Sequence, residues 1–120
     1  MIYSYKPGQS KIAMGLLSFM FSQGDYHILQ SIIDKYEQLP EWRLFLYKEN
    51  DDFIGLIGGH QGEEGFTIHH LVVSPSHRGE GIGCHLISCL EKQVTSSLIP
   101  SPRTEQLFEK WQEQQRHSSQ

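Results

Sequence analysis

A strand that turns through closely spaced glycines into a helix, Leu71 to Cys84, constrains this chain more than any other stretch. It reads Leu-Val-Val-Ser-Pro-Ser-His-Arg-Gly-Glu-Gly-Ile-Gly-Cys. An apolar run breaks at Pro75, and Arg78-Gly79-Glu80-Gly81-Ile82-Gly83 then leads into an amphipathic segment. The first turn of a helix leaves backbone N–H groups without partners, which suits an anion. Glycines ahead of that turn permit positive φ and let a ligand approach with no Cβ in the way. Arg78 adds a permanent charge on a planar fork that fits phosphate. The stretch reads as a pyrophosphate cradle; the alternative is a glycine-rich helix entry that holds no ligand.

Three kinds of phosphate loop are to be weighed. A Walker A loop ends in Gly-Lys-Ser/Thr, whereas Cys84 and His85 follow Gly83. The dinucleotide fingerprint is Gly-x-Gly-x-x-Gly early in a βαβ unit, but this loop is Gly-x-Gly-x-Gly and too little chain follows to build the second half. The third, Arg-x-x-Gly-x-Gly after a strand ending in Val-Ser-Pro, resembles the acyl-coenzyme A loop of the GCN5-related N-acetyltransferases, the GNAT superfamily. Lys11 to Met20, with Phe45-Leu46-Tyr47-Lys48-Glu49, further resembles RibT, the small acetyltransferase-like family encoded among bacterial riboflavin-synthesis genes.

The resemblance implies a single-domain α/β (α+β) fold. Its central sheet is mixed and mostly antiparallel, covered by helices on both faces, splayed at the acyl-CoA site and shortened at the C-terminus. It implies acetyl-CoA as cofactor and an amine as acceptor, either a small molecule or a protein amino group, with a link to riboflavin metabolism. The cofactor residues it implies are Leu71, Val72 and Val73 on the strand, Arg78, Gly79, Glu80, Gly81, Ile82, Gly83 and Cys84 in the loop, and Phe108 in the last helix. Leu71 and Val73 serve pantetheine through an exposed strand edge, as an added peptide strand would. Backbone N–H groups near Leu71 and Val72 polarise the thioester carbonyl.

Two positions depart from the family pattern. Phe108 stands where relatives carry a tyrosine able to protonate the departing thiolate. Few polar residues follow Trp111, where most relatives continue with two further strands. Those strands are absent or come from another subunit, so a homodimer is one expectation. The departures leave open a coenzyme A sensor or scaffold that turns over weakly or not at all. A stabilising partner of riboflavin enzymes is a third reading.

The base that deprotonates the acceptor needs a pKa near neutral. Several superfamily members carry Glu or His at positions matching Thr67 and His69. Alternation along a strand sets Thr67, His69 and Leu71 on one face, and Ile68, His70 and Val72 on the other. His69 is the candidate base, or else a partly exposed strand histidine with no role. Diverging neighbours make His69-His70 a poor metal chelate.

The remaining chain is bounded by its 120 residues to one domain, spanning 1–116 with a frayed tail at 117–120. Its net charge of −4, with no basic run, argues against nucleic acid and anionic membranes as partners. There is no apolar run of about 20 residues, the length a membrane-spanning helix needs. Cys84 and Cys89 share one helix with a rise of about 7.5 Å between them, too far for a bridge. Free thiols and the lack of an export signal point to the cytoplasm.

Strands are expected at Met1 to Tyr5, Trp42 to Lys48, Phe53 to Gly59, Phe66 to Val73 and Val94 to Ile99. Gly55, Gly58 and Gly59 predict a bulge or a close backbone approach. Ser10 caps a helix with the stripe Ile12, Ala13, Leu16, Leu17 and Met20. Ser22 and Asp25 open a second one bearing Leu29, Ile32, Ile33 and Tyr36. The helix after the glycine loop turns Ile82, Leu86, Cys89 and Leu90 inward, and a last helix, Arg103 to Gln115, buries Leu107, Phe108 and Trp111. Glu63, Glu64, Asp51 and Asp52 could favour a cationic acceptor, although carboxylates in turns are commonly just solvated.

Overall fold

The structure, a computed structural model, describes residues 1–21 and 25–118. Its sheet is built by hairpins whose turns are set by local chemistry. β2 (Trp42–Glu49) and β3 (Asp52–Gln61) join through Asn50 and Asp51, whose φ values of 51° and 67° are ones these two residue types tolerate. β3 then pairs antiparallel with β4 (Phe66–Val73). β1 (Ile2–Ser4) lies antiparallel along β2, and β5 (Leu98–Pro100) runs parallel to β4. The five strands therefore stand in the sheet in chain order.

Helices cover both faces. α1 (Ser10–Leu17) and α2 (Tyr26–Gln38) enclose one apolar cluster with Leu44, Leu46, Leu56 and Val72. α3 (Ile82–Gln93) and α4 (Glu105–Ser118) enclose another with Phe45, Ile57, Phe66 and Ile68. The Asp25 carboxylate accepts from the His27 N–H at 2.9 Å and caps α2, while the Ser22 half of the expected capping box lies outside the described residues. The α+β architecture expected from the sequence, a mixed and mostly antiparallel sheet with helices on both faces, is the one observed. Among the described residues no helix is long and apolar enough to cross a membrane.

Several local expectations are corrected. Ser10 is the first residue of α1 rather than its cap, and the buried stripe is Ala13, Met14, Leu16 and Leu17 with Ile12 exposed. In α3 it is Ile87, not Cys89, that turns fully inward. β5 is limited to three residues. α4 extends to Ser118, so His117 and Ser118 continue the helix.

The largest correction lies in the centre of the sheet. Gly58 opposes His70 but Gly59 opposes Ile68, so His69 is an extra residue bulged out of the β3–β4 ladder. A Cβ on Gly59 would overlap the Thr67 carbonyl, which reserves that position for glycine. The bulge breaks the period of two. Ile68, Leu71 and Val73 all reach the α3–α4 side, Val72 packs with α1 and α2, and His70 meets Tyr36 of α2. The expected face of Thr67, His69 and Leu71 against Ile68, His70 and Val72 does not exist.

Candidate active site

β4 and β5 part company halfway along. Their register covers Phe66, Thr67 and Ile68 of β4, and stops where Ile68 meets Pro100, a residue with no N–H to continue the ladder. The Ile68 carbonyl instead accepts from the Thr104 hydroxyl at 2.9 Å, and Thr104 is 2% exposed. A buried side chain thus fixes the point of divergence and ties it to the start of α4. From His70 to Val73 β4 pairs only with β3, and beyond Ile68 its other edge is open. Two cavities line that free half.

The first, about 330 Å³, runs beside Leu71, Val72 and Val73 to the glycine loop. Gly79 and Gly81 have φ of 84° and 79°, and a Cβ at either would have nothing within 4 Å. Gly81 precedes α3, whose first intrahelical bond runs from His85 N to Gly81 O at 3.1 Å, so the N–H groups of Ile82, Gly83 and Cys84 have no helical partner. All three residues line the cavity, and no acidic side chain sits in this first turn. The Arg78 Nε donates to the Val73 carbonyl at 3.2 Å, holding the guanidinium at the strand end. Burial pushes the Cys84 thiol up, which keeps it protonated at neutral pH. A backbone cradle open to solvent, with adjacent cationic side chains and an apolar strand edge, fits a pyrophosphate followed by an amide-bearing arm.

Of the cofactor residues expected from the sequence, Leu71, Val72, Val73, Arg78, Gly79, Gly81, Ile82, Gly83 and Cys84 lie on this one cavity. Glu80 and Phe108 do not. Glu80 is exposed, between two glycines of positive φ. Phe108 is 4% exposed and packs on Trp111, because α4 turns Leu107, Lys110 and Gln114 to the cavity and Phe108 and Trp111 to the core. Lys110 was missed in the sequence, although its spacing from Leu107 marks the same helical face. Phe19 and Met20, also missed, wall the cavity from beyond α1 and carry no sequence signal for that role.

The second cavity, about 340 Å³, adjoins His69 and His70 and is walled by Ile32, Lys35, Trp42 and the stretch Ser101, Pro102 and Arg103. Arg103 donates to the Met20 carbonyl at 3.2 Å, linking a wall of this cavity to a wall of the first. The bulge brings both histidines to the same space. His69 Nε2 and His60 Nδ1 share a hydrogen bond of 2.8 Å, and both rings stack on Trp42 with centroids 5.0 Å away. Burial lowers the His69 pKa, and the charges of His60 and Lys35 lower it further. His70 bonds through Nδ1 to the Tyr36 hydroxyl; burial, then His69, Lys35 and Arg103, bring its pKa down to about 4. Burial holds the Tyr36 phenol well above its ordinary value, so both members of that pair are neutral near pH 7. His60 escaped the sequence reading because only the bulge carries His69 to it. Among the described residues no group of three or more His, Cys, Asp or Glu is arranged to hold a metal ion.

Residues 13–98 match the acetyltransferase (GNAT) family. A Bacillus methanolicus protein described as an uncharacterized N-acetyltransferase in the lysA 3′ region is 43% identical over 112 residues, which cover 92% of this chain and 93% of that protein. An acetyltransferase from Thermus thermophilus superposes with a TM-score of 0.74 at 14% identity, over 91% of this chain and 82% of that one. An aminoglycoside 6′-N-acetyltransferase solved with coenzyme A gives a TM-score of 0.63 at 26% identity, over 78% of this chain and 54% of the other.

Proposed function

This chain belongs to the acetyltransferase (GNAT) family, and from that premise we propose that it transfers the acetyl group of acetyl-CoA to the nitrogen of an amine. The observation that carries the proposal is the open edge of β4 leading directly into the glycine cradle. Bound acetyl-CoA supplies the activated thioester. The N–H groups of Ile82, Gly83 and Cys84 and the Arg78 guanidinium would hold the pyrophosphate, and the free edge from Leu71 to Val73 would orient the arm.

For the proton, the reading favours His69. Its Nε2 is engaged by His60, which leaves Nδ1 to take a proton from the acceptor ammonium directly or through a water. The lowered pKa keeps it unprotonated, and so available, at neutral pH. As the ring gains a proton at Nδ1, His60 is placed to relieve the charge through their shared bond. Phe108, buried in the core, offers no proton to the thiolate, which is already a fair leaving group.

A place in riboflavin metabolism rests on resemblance alone, and flavin-precursor amines belong in the acceptor panel for that reason. A cytoplasmic location follows the same reading. β5 has no neighbour on its outer side among the described strands, and a second copy of the chain could close the acceptor site there; sedimentation equilibrium reads that directly. The test of the cofactor site is calorimetry with acetyl-CoA. Gly81→Val forces a β-branched residue to a φ of 79° and sets its side chain over the cradle, so binding should fall by at least about tenfold. Equal affinity in wild type and Gly81→Val would remove the pyrophosphate assignment.

A further inference from the structure

The cavity beside His69 differs in charge from the rest of the protein. Fourteen acidic side chains outnumber ten basic ones in the chain, yet the cavity wall carries Lys35 and Arg103 and no carboxylate. Residues 22–24 and 119–120, outside the described set, include no acid in their sequence. Glu41, beside Trp42 in sequence, and Glu105, at the start of α4, are exposed and do not line it. Asp34 accepts from Gln30 at 3.0 Å and Glu37 from the Tyr5 hydroxyl at 2.6 Å. Glu63 and Glu64 sit exposed in the β3–β4 turn, and Asp51 in the β2–β3 turn.

Neither cation has a carboxylate partner among the described residues. Lys35 Nζ lies 5.2 Å from the Trp42 ring centroid, and Arg103 lies 4.6 Å from that of Phe21 while donating to the Met20 carbonyl. A guanidinium and an ammonium facing one cavity, with two histidines that are neutral near pH 7, leave a positive potential without a counter-ion. Such a field repels a second positive group on an acceptor and attracts a negative one. It also opposes the ammonium form of the reacting nitrogen, and so helps that nitrogen lose its proton.

We infer that the acceptor is an amine that also carries an anionic group, a carboxylate or a phosphate, held by Lys35 and Arg103 while its nitrogen faces His69. The proposal rests on the acetyltransferase reading and narrows it. It also turns away from the cationic acceptor that the turn carboxylates suggest, since those residues do not line the site.

The test pairs amines that differ only in the anion: leucine against 3-methylbutylamine, 4-aminobutyrate against butylamine, and phosphoethanolamine against ethanolamine, with spermidine as the polycation. Acetyl-CoA consumption is measured for each. In parallel, Trp42 fluorescence follows binding of the same amines to the protein with coenzyme A present, a readout independent of turnover. The anionic member of at least one pair should show a kcat/KM, or an affinity, about fivefold or more above its neutral partner, the scale of a charge-assisted contact in a partly screened site. The carboxylate and phosphate pairs separate the two sources of the anion. Lys35→Met and Arg103→Met should narrow that preference, whereas Lys92→Met, on the exposed end of α3, should not.

Turnover that prefers neutral amines or spermidine would overturn the inference and leave the acetyltransferase reading intact. Anionic amines that bind, lose affinity in Arg103→Met and yet are never acetylated would uphold the anion site at Lys35 and Arg103 and overturn the acetyltransferase reading that makes its ligand an acceptor. No anionic preference in either turnover or binding overturns it.

Discussion

His70 and His69 are neighbours in sequence with different surroundings. Buried His70 is neutral and bonded to Tyr36, and its pKa of about 4 lies below the ordinary 6.5. The unfolded chain therefore takes up the proton first, so stability is fully present above pH ~6.5 and declines as pH falls towards ~4. At about 1.4 kcal/mol per unit the loss is on the order of 3 kcal/mol. Urea unfolding of wild type between pH 7 and 4 should show this slope, and His70→Gln should flatten it. An undiminished slope in His70→Gln would assign the acid sensitivity to other groups. On the proposed mechanism His69 is the base. His69→Ala should lower kcat by at least about tenfold at pH 7 while acetyl-CoA still binds, and raising the pH should partly restore the rate by supplying neutral amine. A pH–rate profile of both proteins reads this; an unchanged rate would leave water or the substrate's own equilibrium as base.

Among the elements, the strand–glycine loop–helix of β4 and α3 was legible because every link in it is local: apolar run, proline, glycines, helix start. The hairpin strands, with turn residues at Asn50 and Asp51, were legible for the same reason. What the sequence concealed depends on contacts between elements. The glycines of β3 announced an irregularity, but only the β3–β4 register shows that its extra residue is His69 and that the alternation of β4 is reversed there. The point of divergence likewise needs Thr104, thirty-six positions from Ile68, whose hydroxyl has no local signature. Phe108 illustrates the converse, since a family pattern placed it at the cofactor whereas the helical period of α4 buries it against Trp111. The bulge gives a prediction at this scale. Gly59→Ala sets a Cβ against the Thr67 carbonyl, a clash with backbone that only strand separation relieves. A cost above about 2 kcal/mol is expected, lowering Tm by about 8 °C or more in a domain of this size. Thermal unfolding at the wild-type midpoint would show that the ladder adapts.

For the whole molecule, the sheet separates two apolar clusters, and the cavity beside the glycine loop draws its walls from elements on both sides: Phe19 and Met20 beyond α1, β4 itself, and Leu107 and Lys110 of α4. Acetyl-CoA filling that space should behave as a brace. At a concentration 100-fold above Kd it adds about 2.7 kcal/mol to the folded state. Differential scanning fluorimetry should therefore show Tm rising with acetyl-CoA in wild type and much less in Gly81→Val. The strand order has a consequence for synthesis. Each strand of the sheet lies beside its predecessor in the chain, so each one leaving the ribosome finds its partner already made, with no later strand to insert between them. β5 and α4 emerge after the other four strands, and they set the divergence at Ile68 and complete the cavity wall. A nascent chain thus holds most of its sheet before this cavity exists, and acetyl-CoA binding is expected only once α4 has emerged.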